Sequence, residues 1–177
     1  MTATPILPSG VLPVATAIDL VQVSPVDSGQ VRAVQDVIAA SEDFAMLVDG
    51  FPPPPDEAEQ LLAKIPPGSH PEDKAVMLVR LGSANIGVLD VVRDWPQRRT
   101  WMIGLLVLVP AARGRGVGGR VVATVDRWAI ESGAKKLRVA VAPANVRGLR
   151  FWRRQGFSPV EVSRSGPHRL ERPVIGF

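Results

Sequence analysis

The sequence contains no cysteine, no tyrosine and only two histidines. Without cysteine, the chain cannot form disulfides, thiolate zinc sites or cysteine nucleophiles. The two histidines, His70 and His168, are too few for a histidine metal cluster, and we therefore expect no bound metal. No apolar run approaches the roughly 20 residues that a membrane-spanning helix requires. These absences leave a globular protein whose chemistry must rest on other groups.

The N-terminal stretch, residues 1–16, has no basic start and is interrupted by Pro5, Pro8 and Pro13. This composition argues against a signal peptide. We expect a flexible arm over residues 1–16, a single domain over residues 17–177 and a cytoplasmic location. The length after the arm is enough for one domain with a sizeable hydrophobic core.

Residues 107–119 join an apolar run to a helical pattern through a segment rich in glycine and arginine. A helix N-terminus leaves backbone N–H groups unpaired and carries partial positive charge, so it attracts anions. Glycine lets a ligand approach the backbone closely, and arginine matches phosphate oxygens. The residues concerned are Gly114, Gly116, Gly118 and Gly119, with Arg113, Arg115 and Arg120. The pattern predicts a phosphate-binding loop.

Two common phosphate motifs fit this loop poorly. A P-loop requires a Gly-Lys-Ser or Gly-Lys-Thr step, which the sequence lacks. Gly114, Gly116 and Gly119 do match the spacing G-x-G-x-x-G of dinucleotide-binding folds. That motif, however, follows the first strand of its unit and needs an acidic residue after the next strand. Here it lies far along the chain, and Pro143, Ala144 and Asn145 follow the next strand instead.

A third pattern fits better. Arg113-x-x-Gly116-x-Gly118, placed after a strand that ends in Val-Pro, resembles the acetyl-CoA signature (Q/R)-x-x-G-x-(G/A) of the GNAT superfamily of N-acetyltransferases. Further along, the family's second pattern is N-x-x-A-x-x-(L/F)-(Y/W)-x-x-x-G-F. The matching residues here are Asn145, Gly148, Phe151, Trp152, Gly156 and Phe157. Both motifs occur in the order that the family has.

The periodicity of the chain agrees with the fold that this resemblance implies. Alternating and helical patterns predict the order β-α-α-β-β-β-α-β-α-β-β, an α/β fold of the α+β type. It would form a mixed, mostly antiparallel central sheet with helices on both faces. Predicted strands are 18–23, 75–81, 84–92, 99–109, 136–142, 157–163 and 169–175. Predicted helices run from Asp27 or Ser28 to about Glu42, from Asp56 to before Pro66, from Val117 to about Ser132 and over 144–155, while 44–50 is ambiguous.

The resemblance also implies where acetyl-CoA would bind. Strands 99–109 and 136–142 would part at their C-terminal ends and admit the pantetheine arm against the backbone of Val107, Leu108 and Val109. The N–H group of Leu108 would polarise the thioester carbonyl and stabilise the oxyanion. The pyrophosphate would lie on the N–H groups of Arg113, Gly114, Arg115, Gly116, Val117, Gly118 and Gly119. The excess of basic residues, at a net charge of +4, suits such a ligand.

Two downstream side chains have an alternative structural role. Asn145 would bind the pantetheine amide or cap the following helix, and the two roles can coexist. Trp152 stands where many relatives have a tyrosine that acts as the general acid, and it would pack on the coenzyme arm or in the core. An indole N–H donates a hydrogen bond but is no useful acid. The thiolate of coenzyme A would then be protonated by water or stabilised by local positive charge.

The implied reaction is direct attack of a primary amine, from a small molecule or a peptide, on acetyl-CoA in a ternary complex. Asp90 is the candidate general base, with Asp94 and His70 as weaker choices. Two other functions stay open. The missing tyrosine allows an acyl-CoA-binding module without efficient catalysis, and the basic charge allows a nucleic-acid-binding protein. A C-terminal hairpin could support a homodimer, as in many relatives.

Overall fold

A seven-stranded sheet in the order β1-β2-β3-β4-β5-β7-β6 organises the chain. The computed structural model describes residues 17–161 and 165–174. The strands are β1 (Ile18–Gln22), β2 (Lys74–Leu81), β3 (Ala84–Val92), β4 (Thr100–Leu108), β5 (Lys136–Val141), β6 (Ser158–Glu161) and β7 (His168–Pro173). The helices are α1 (Ser28–Ala39), α2 (Glu42–Val48), α3 (Glu57–Ala63), α4 (Val117–Glu131) and α5 (Val146–Arg154).

Strand directions follow from the connections. The turn at Gly82 and Ser83 joins β2 to β3, and β1 runs antiparallel to β2 from Ile18 opposite Leu81. Helix α4 connects β4 to β5, and these two strands are parallel, because a helical crossover returns the chain in the same direction. β5 and β6 each pair antiparallel with β7. The predicted mixed, mostly antiparallel sheet is thus confirmed.

The contacts divide the chain into two units, each drawn from several segments of the sequence. The first unit contains the residues up to Lys64, Ala75–Asp90 and Leu105–Val121. The second contains Ile65–Lys74, Val91–Gly104 and the described residues from Val122 onwards. The proposed arm, residues 1–16, lies outside the described residues. Within the described ranges, no helix is both long and apolar enough to cross a membrane.

In the first unit, the N-terminal region contains one helix more than predicted. Asp27 caps α1 by accepting a hydrogen bond from the Gln30 N–H at 3.0 Å, as its position indicated. The helix ends at Ala39 instead of near Glu42, and α2 follows after a turn at Ser41. The stretch that the sequence left ambiguous therefore forms most of α2. The full order is β-α-α-α-β-β-β-α-β-α-β-β.

The proline-rich segment before α3 is held by a side chain from α1. The Gln35 amide donates to Pro54 O and accepts from Ala58 N, both at 2.8 Å. Gln35 thus satisfies one of the unpaired N–H groups at the start of α3. Asp56, from which this helix was predicted to run, occupies the N-cap position, but its carboxylate makes no cap bond and accepts from the Gln60 side chain at 3.0 Å.

The second unit packs around aromatic side chains and a buried ion pair. Trp101 lies edge-to-face on Trp128 with ring centroids 4.6 Å apart. Arg172 on β7 donates two hydrogen bonds, at 2.8 and 2.6 Å, to the Asp126 carboxylate on α4, and both side chains are almost fully buried. The Arg172 guanidinium also lies over the Phe157 ring, 4.8 Å from its centroid. Helix α4 and strand β7 are therefore joined through charge as well as apolar packing.

Removing the acidic partner of this pair should destabilise the protein strongly. Asp126→Ala leaves a buried guanidinium without its counter-charge, and we expect the free energy of unfolding to fall by about 3–5 kcal/mol. Urea denaturation measures the change. The matched control is Glu161→Ala, which breaks the exposed pair with Arg169 and should cost less than about 1 kcal/mol. Equal costs for the two variants would contradict this account.

Candidate functional site

Strand β4 is paired with β5 along only part of its length. The parallel ladder joins Thr100–Ile103 with residues 136–139, although β4 continues to Leu108. β5 itself goes on to Val141, where it still pairs with β7. From Gly104 onwards β4 becomes more accessible, with Gly104 exposed and Leu105 half-buried. The parallel ladder between β4 and β5 thus ends at Ile103, five residues before the end of β4.

The last peptides of β4 have a defined direction. The Val109 N–H donates to Ile86 O of β3 at 2.9 Å. Because N–H groups alternate along an extended strand, the N–H of Leu108 points away from β3. This is the group that the sequence suggested as the donor to the acetyl carbonyl. Val107 is buried and Leu108 half-buried, so their apolar side chains do not compete with that backbone role.

Gly87 on β3 is a site residue that the sequence analysis did not identify. A Cβ atom at this position would lie 2.7 Å from Val107 O and 2.5 Å from Leu108 Cδ2. β3 and the end of β4 thus approach each other more closely than any other residue allows. An isolated glycine within a strand pattern was the available signal.

The loop after β4 adopts the geometry of an anion-binding turn. A 3₁₀ turn, Pro110–Ala112, leads into Gly114 and Gly116, whose φ values are +71° and +76°. Successive N–H groups converge in such a conformation. α4 then begins at Val117, so its first-turn N–H groups lie directly after the loop. Gly118 and Gly119 lie in the first turn of α4 and, unlike Gly114 and Gly116, do not have positive φ.

The arginines of the loop differ in what they contact. Arg113 donates from Nε to Leu108 O at 2.7 Å and from its two terminal nitrogens to the Asp43 carboxylate at 2.5 and 3.0 Å. Its backbone N–H donates to Pro110 O at 3.2 Å. Arg115 is exposed and makes no hydrogen bond or ion pair to residues 17–161 or 165–174. Near the backbone N–H groups of the loop, the charge of Arg115 is therefore available to a ligand, whereas the charge of Arg113 is paired with Asp43.

The ion pair with Arg113 changes the acidity of Asp43. The hydrogen bond from the Arg113 guanidinium holds the pKa of the Asp43 carboxyl below its ordinary value, against the smaller opposing effect of burial. Asp43 therefore stays ionised and keeps its partner over the whole physiological pH range.

In the second unit, Asn145 caps α5. Its Oδ1 accepts from the Gly148 N–H at 2.8 Å, which confirms the structural alternative given above. A Cβ at position 148 would lie 2.5 Å from Asn145 Nδ2, so a larger residue there would make the Asn145 amide shift. The cap is made by the oxygen of the Asn145 side-chain amide. A second role through its nitrogen stays a prediction.

Two other predicted site residues are buried. Trp152 is 8% exposed and contacts Phe151 and Phe157 edge-to-face, with centroids 4.9 and 5.1 Å apart. Asp90, on β3, is 6% exposed and interacts with another group of the protein. Trp152 therefore packs among aromatic rings, and the roles of both residues toward a ligand stay predictions. Over residues 17–161 and 165–174, no three His, Asp or Glu side chains are grouped to hold a metal.

Adding one methyl group at Gly87 should disturb the end of β4. In Gly87→Ala, the Leu108 side chain can rotate away, whereas the Val107 carbonyl cannot move without its strand. We expect a loss of about 1–3 kcal/mol in the free energy of unfolding, as for an overpacked core. Chemical denaturation tests this, and a variant as stable as the wild type would show that β4 is less constrained than its contacts imply.

The Asp43–Arg113 pair should stabilise the protein in a pH-dependent way. Because the pKa of Asp43 is lowered in the folded state, its contribution is present above the unfolded pKa of about 4 and is lost as pH falls through the folded pKa. The pair is partly exposed, so we expect Asp43→Asn to cost less than about 1 kcal/mol at pH 7.

Denaturation of the wild type and Asp43→Asn at decreasing pH measures this effect. The difference in unfolding free energy should be constant near neutrality and shrink below about pH 4. Asp49→Asn, at the other end of α2, is the control for lost charge. A difference that grows on acidification would contradict the assignment.

Known structures with the same fold include several acetyltransferases. The chain is similar to an acetyltransferase of Thermus thermophilus, with a TM-score of 0.74 and 23% identity over 90% of this chain and 98% of that one. It is also similar to a putative GNAT-family acetyltransferase of Desulfovibrio desulfuricans, with a TM-score of 0.69 and 14% identity over 90% and 100%. The PaiA N-acetyltransferase of Thermoplasma acidophilum, solved in complex with coenzyme A, matches with a TM-score of 0.64 and 14% identity over 89% and 99%.

These identities are low, and the similarity they express concerns the fold. None of the curated proteins compared with the sequence is a significant match. The sequence model of the acetyltransferase (GNAT) family, however, matches residues 41–157. This region extends from the turn before α2 to the residue before β6 and includes the glycine loop and the Asn145 cap. Because it covers more than half of the chain, the protein belongs to the acetyltransferase (GNAT) family.

Proposed function

We propose that the protein is an N-acetyltransferase that transfers the acetyl group of acetyl-CoA to a primary amine of a small molecule or peptide. The observation that carries this proposal is the end of β4, where an accessible backbone edge leads directly into a loop of converging N–H groups. A ligand with an extended, amide-containing arm and a diphosphate fits this arrangement, with the arm along β4 and the diphosphate at the loop. Membership in the family supports the same choice.

The loop provides the contacts that a diphosphate needs. The N–H groups of Gly114 through Gly119 would bind its oxygens, aided by the partial positive charge of α4. Arg115 would add a full charge, since no other described residue occupies its guanidinium. Most of the proposed contacts to the diphosphate therefore come from backbone amides, and the Arg115 side chain adds charge.

The edge of β4 would hold the pantetheine arm and the reacting carbonyl. The amides of the arm would pair with β4 beyond Gly104, and Val107 and Val109 would flank the donor at Leu108. The amine nitrogen attacks the thioester carbon, a C–N bond forms, the C–S bond breaks, and the sulfur leaves as a thiolate. The Leu108 N–H would stabilise the negative charge on the carbonyl oxygen, an effect typically worth about 3 kcal/mol.

Proton transfer has fewer candidates. Asp90, on the strand next to β4, would accept the proton of the attacking amine, directly or through water. The chain contains no tyrosine that could act as the general acid. Trp152 is buried against other rings, so we assign it to packing within its own unit and leave protonation of the thiolate to water.

The second candidate is a module that binds acyl-CoA without efficient catalysis. The lack of any tyrosine is the specific observation that favours it. In either case the partners are an acyl-CoA and, for the enzyme, an amine acceptor. We also propose a cytoplasmic location for the protein. Pairing of two copies through the β6–β7 hairpin stays a prediction.

Binding is tested by thermal unfolding with and without acetyl-CoA. A ligand at 100 times its Kd should add about 2.7 kcal/mol of stability. Gly116→Val should abolish this gain because a side chain at φ +76° distorts the loop. Gly68→Val is the matched control, since Gly68 has φ +81° in an exposed turn and open space around it. A gain that survives in Gly116→Val would contradict binding at this loop.

Catalysis is tested by the release of free thiol from acetyl-CoA over a panel of amines. We expect at least one primary amine to raise the rate above hydrolysis, with one acetylated amine formed per thiol. Stabilisation by acetyl-CoA without amine-dependent thiol release would support the binding module. Absence of both would reject the two candidates together.

A further inference from the structure

The Arg113 side chain uses all three of its nitrogens within the protein. Nε donates to Leu108 O at 2.7 Å, and each of the two terminal nitrogens donates to one oxygen of the Asp43 carboxylate. A guanidinium in this bidentate arrangement has a fixed plane and direction. The side chain therefore points back to the end of β4 and to α2, and only one further N–H on each terminal nitrogen is left for any other acceptor.

The same carbonyl receives a second donor from the first unit. Ser41 is 1% exposed and stands at the N-cap position of α2, yet its hydroxyl makes no cap bond. Instead it is directed to Leu108 O at 3.4 Å. The other end of this peptide is also held, because Val109 N–H donates to Ile86 O at 2.9 Å. The peptide that follows Leu108 is thus fixed on both sides.

We propose that Asp43 and Arg113 form a clamp that positions the reacting end of β4, and that the Arg113 side chain is not a ligand of the diphosphate. The inference rests on the proposed function, in which the Leu108 N–H acts on the thioester carbonyl. That N–H belongs to the peptide next to the clamped one, so its direction depends on the clamp. Asp43, although it contacts no substrate, orients the guanidinium that holds Leu108.

The two possible roles of Arg113 make opposite predictions for Asp43. If Arg113 positions β4, loss of either partner gives the same defect, and the double variant is no worse than a single one. If Arg113 binds phosphate, removing Asp43 releases the guanidinium for the ligand. Coenzyme A affinity would then rise or stay the same in Asp43→Asn and fall in Arg113→Gln. Placement errors near 1 Å can cost about 100-fold in rate, so the effect on turnover should be measurable.

The experiment compares Asp43→Asn, Arg113→Gln and the double variant with the wild type. Calorimetry gives the Kd of coenzyme A, and thiol release with the best amine gives kcat. Arg169→Gln and Glu161→Gln, which break an exposed pair of the same type on β6 and β7, are the controls. Asp43→Asn removes one exposed charge and should fold, and circular dichroism verifies this for every variant.

We expect all three variants to lose about tenfold or more in kcat while the Kd of coenzyme A changes less than about threefold. Arg113→Lys, which keeps the charge but cannot reach both Leu108 O and the carboxylate in one plane, should lose kcat as well. A Kd that rises in Arg113→Gln but not in Asp43→Asn would overturn the inference, as would an unchanged kcat in either variant. If the wild type itself binds coenzyme A without amine-dependent turnover, the proposed function fails first, and the inference falls with it.

Discussion

Backbone hydrogen bonding along β4 is the constraint on which the candidate site depends. The N–H and C=O groups of a strand inside a sheet normally form hydrogen bonds with both neighbouring strands, because a buried peptide group without a partner costs free energy. β4 pairs with β5 only as far as Ile103, although it continues to Leu108. The remaining peptides keep their pairing toward β3, as the bond from Val109 N–H to Ile86 O shows. Under the proposed function, the N–H groups of β4 beyond Ile103 receive an amide-containing arm, while the Leu108 carbonyl is held by Arg113 and Ser41.

Several contacts converge on this strand end. Gly87 removes a Cβ that would strike the Val107 carbonyl, and this lets β3 approach β4 closely. Arg113 and Ser41 hold the Leu108 carbonyl, although a serine at an N-cap normally binds its own helix. Preorganised donors contribute to catalysis because they need not reorient when charge develops. The polar groups around β4 can be understood as the means of that preorganisation.

The sequence could predict what depends on local pattern. The positions of the strands along the sequence, the glycine loop and the Asn145 cap were accessible because each follows from neighbouring residues. It could not predict α2, since residues 44–50 are too few for a clear helical period. Partners distant in the sequence were equally inaccessible. The bridge from Gln35 to Pro54 and the pairing of Arg113 with Asp43 join α1 and α2 to segments much further along the chain. The charge of Arg113 suggested phosphate, and only the folded structure reveals a carboxylate in its place.

Infrared difference spectroscopy of bound acetyl-CoA tests the central claim most directly. The thioester carbonyl, labelled with ¹³C, reports on any hydrogen bond that it accepts. If the Leu108 N–H is a fixed donor to this oxygen, the carbonyl stretch should move to lower frequency on binding, and the shift should diminish in Gly87→Ala. A bound ligand whose carbonyl absorbs as it does in an apolar solvent would contradict the account.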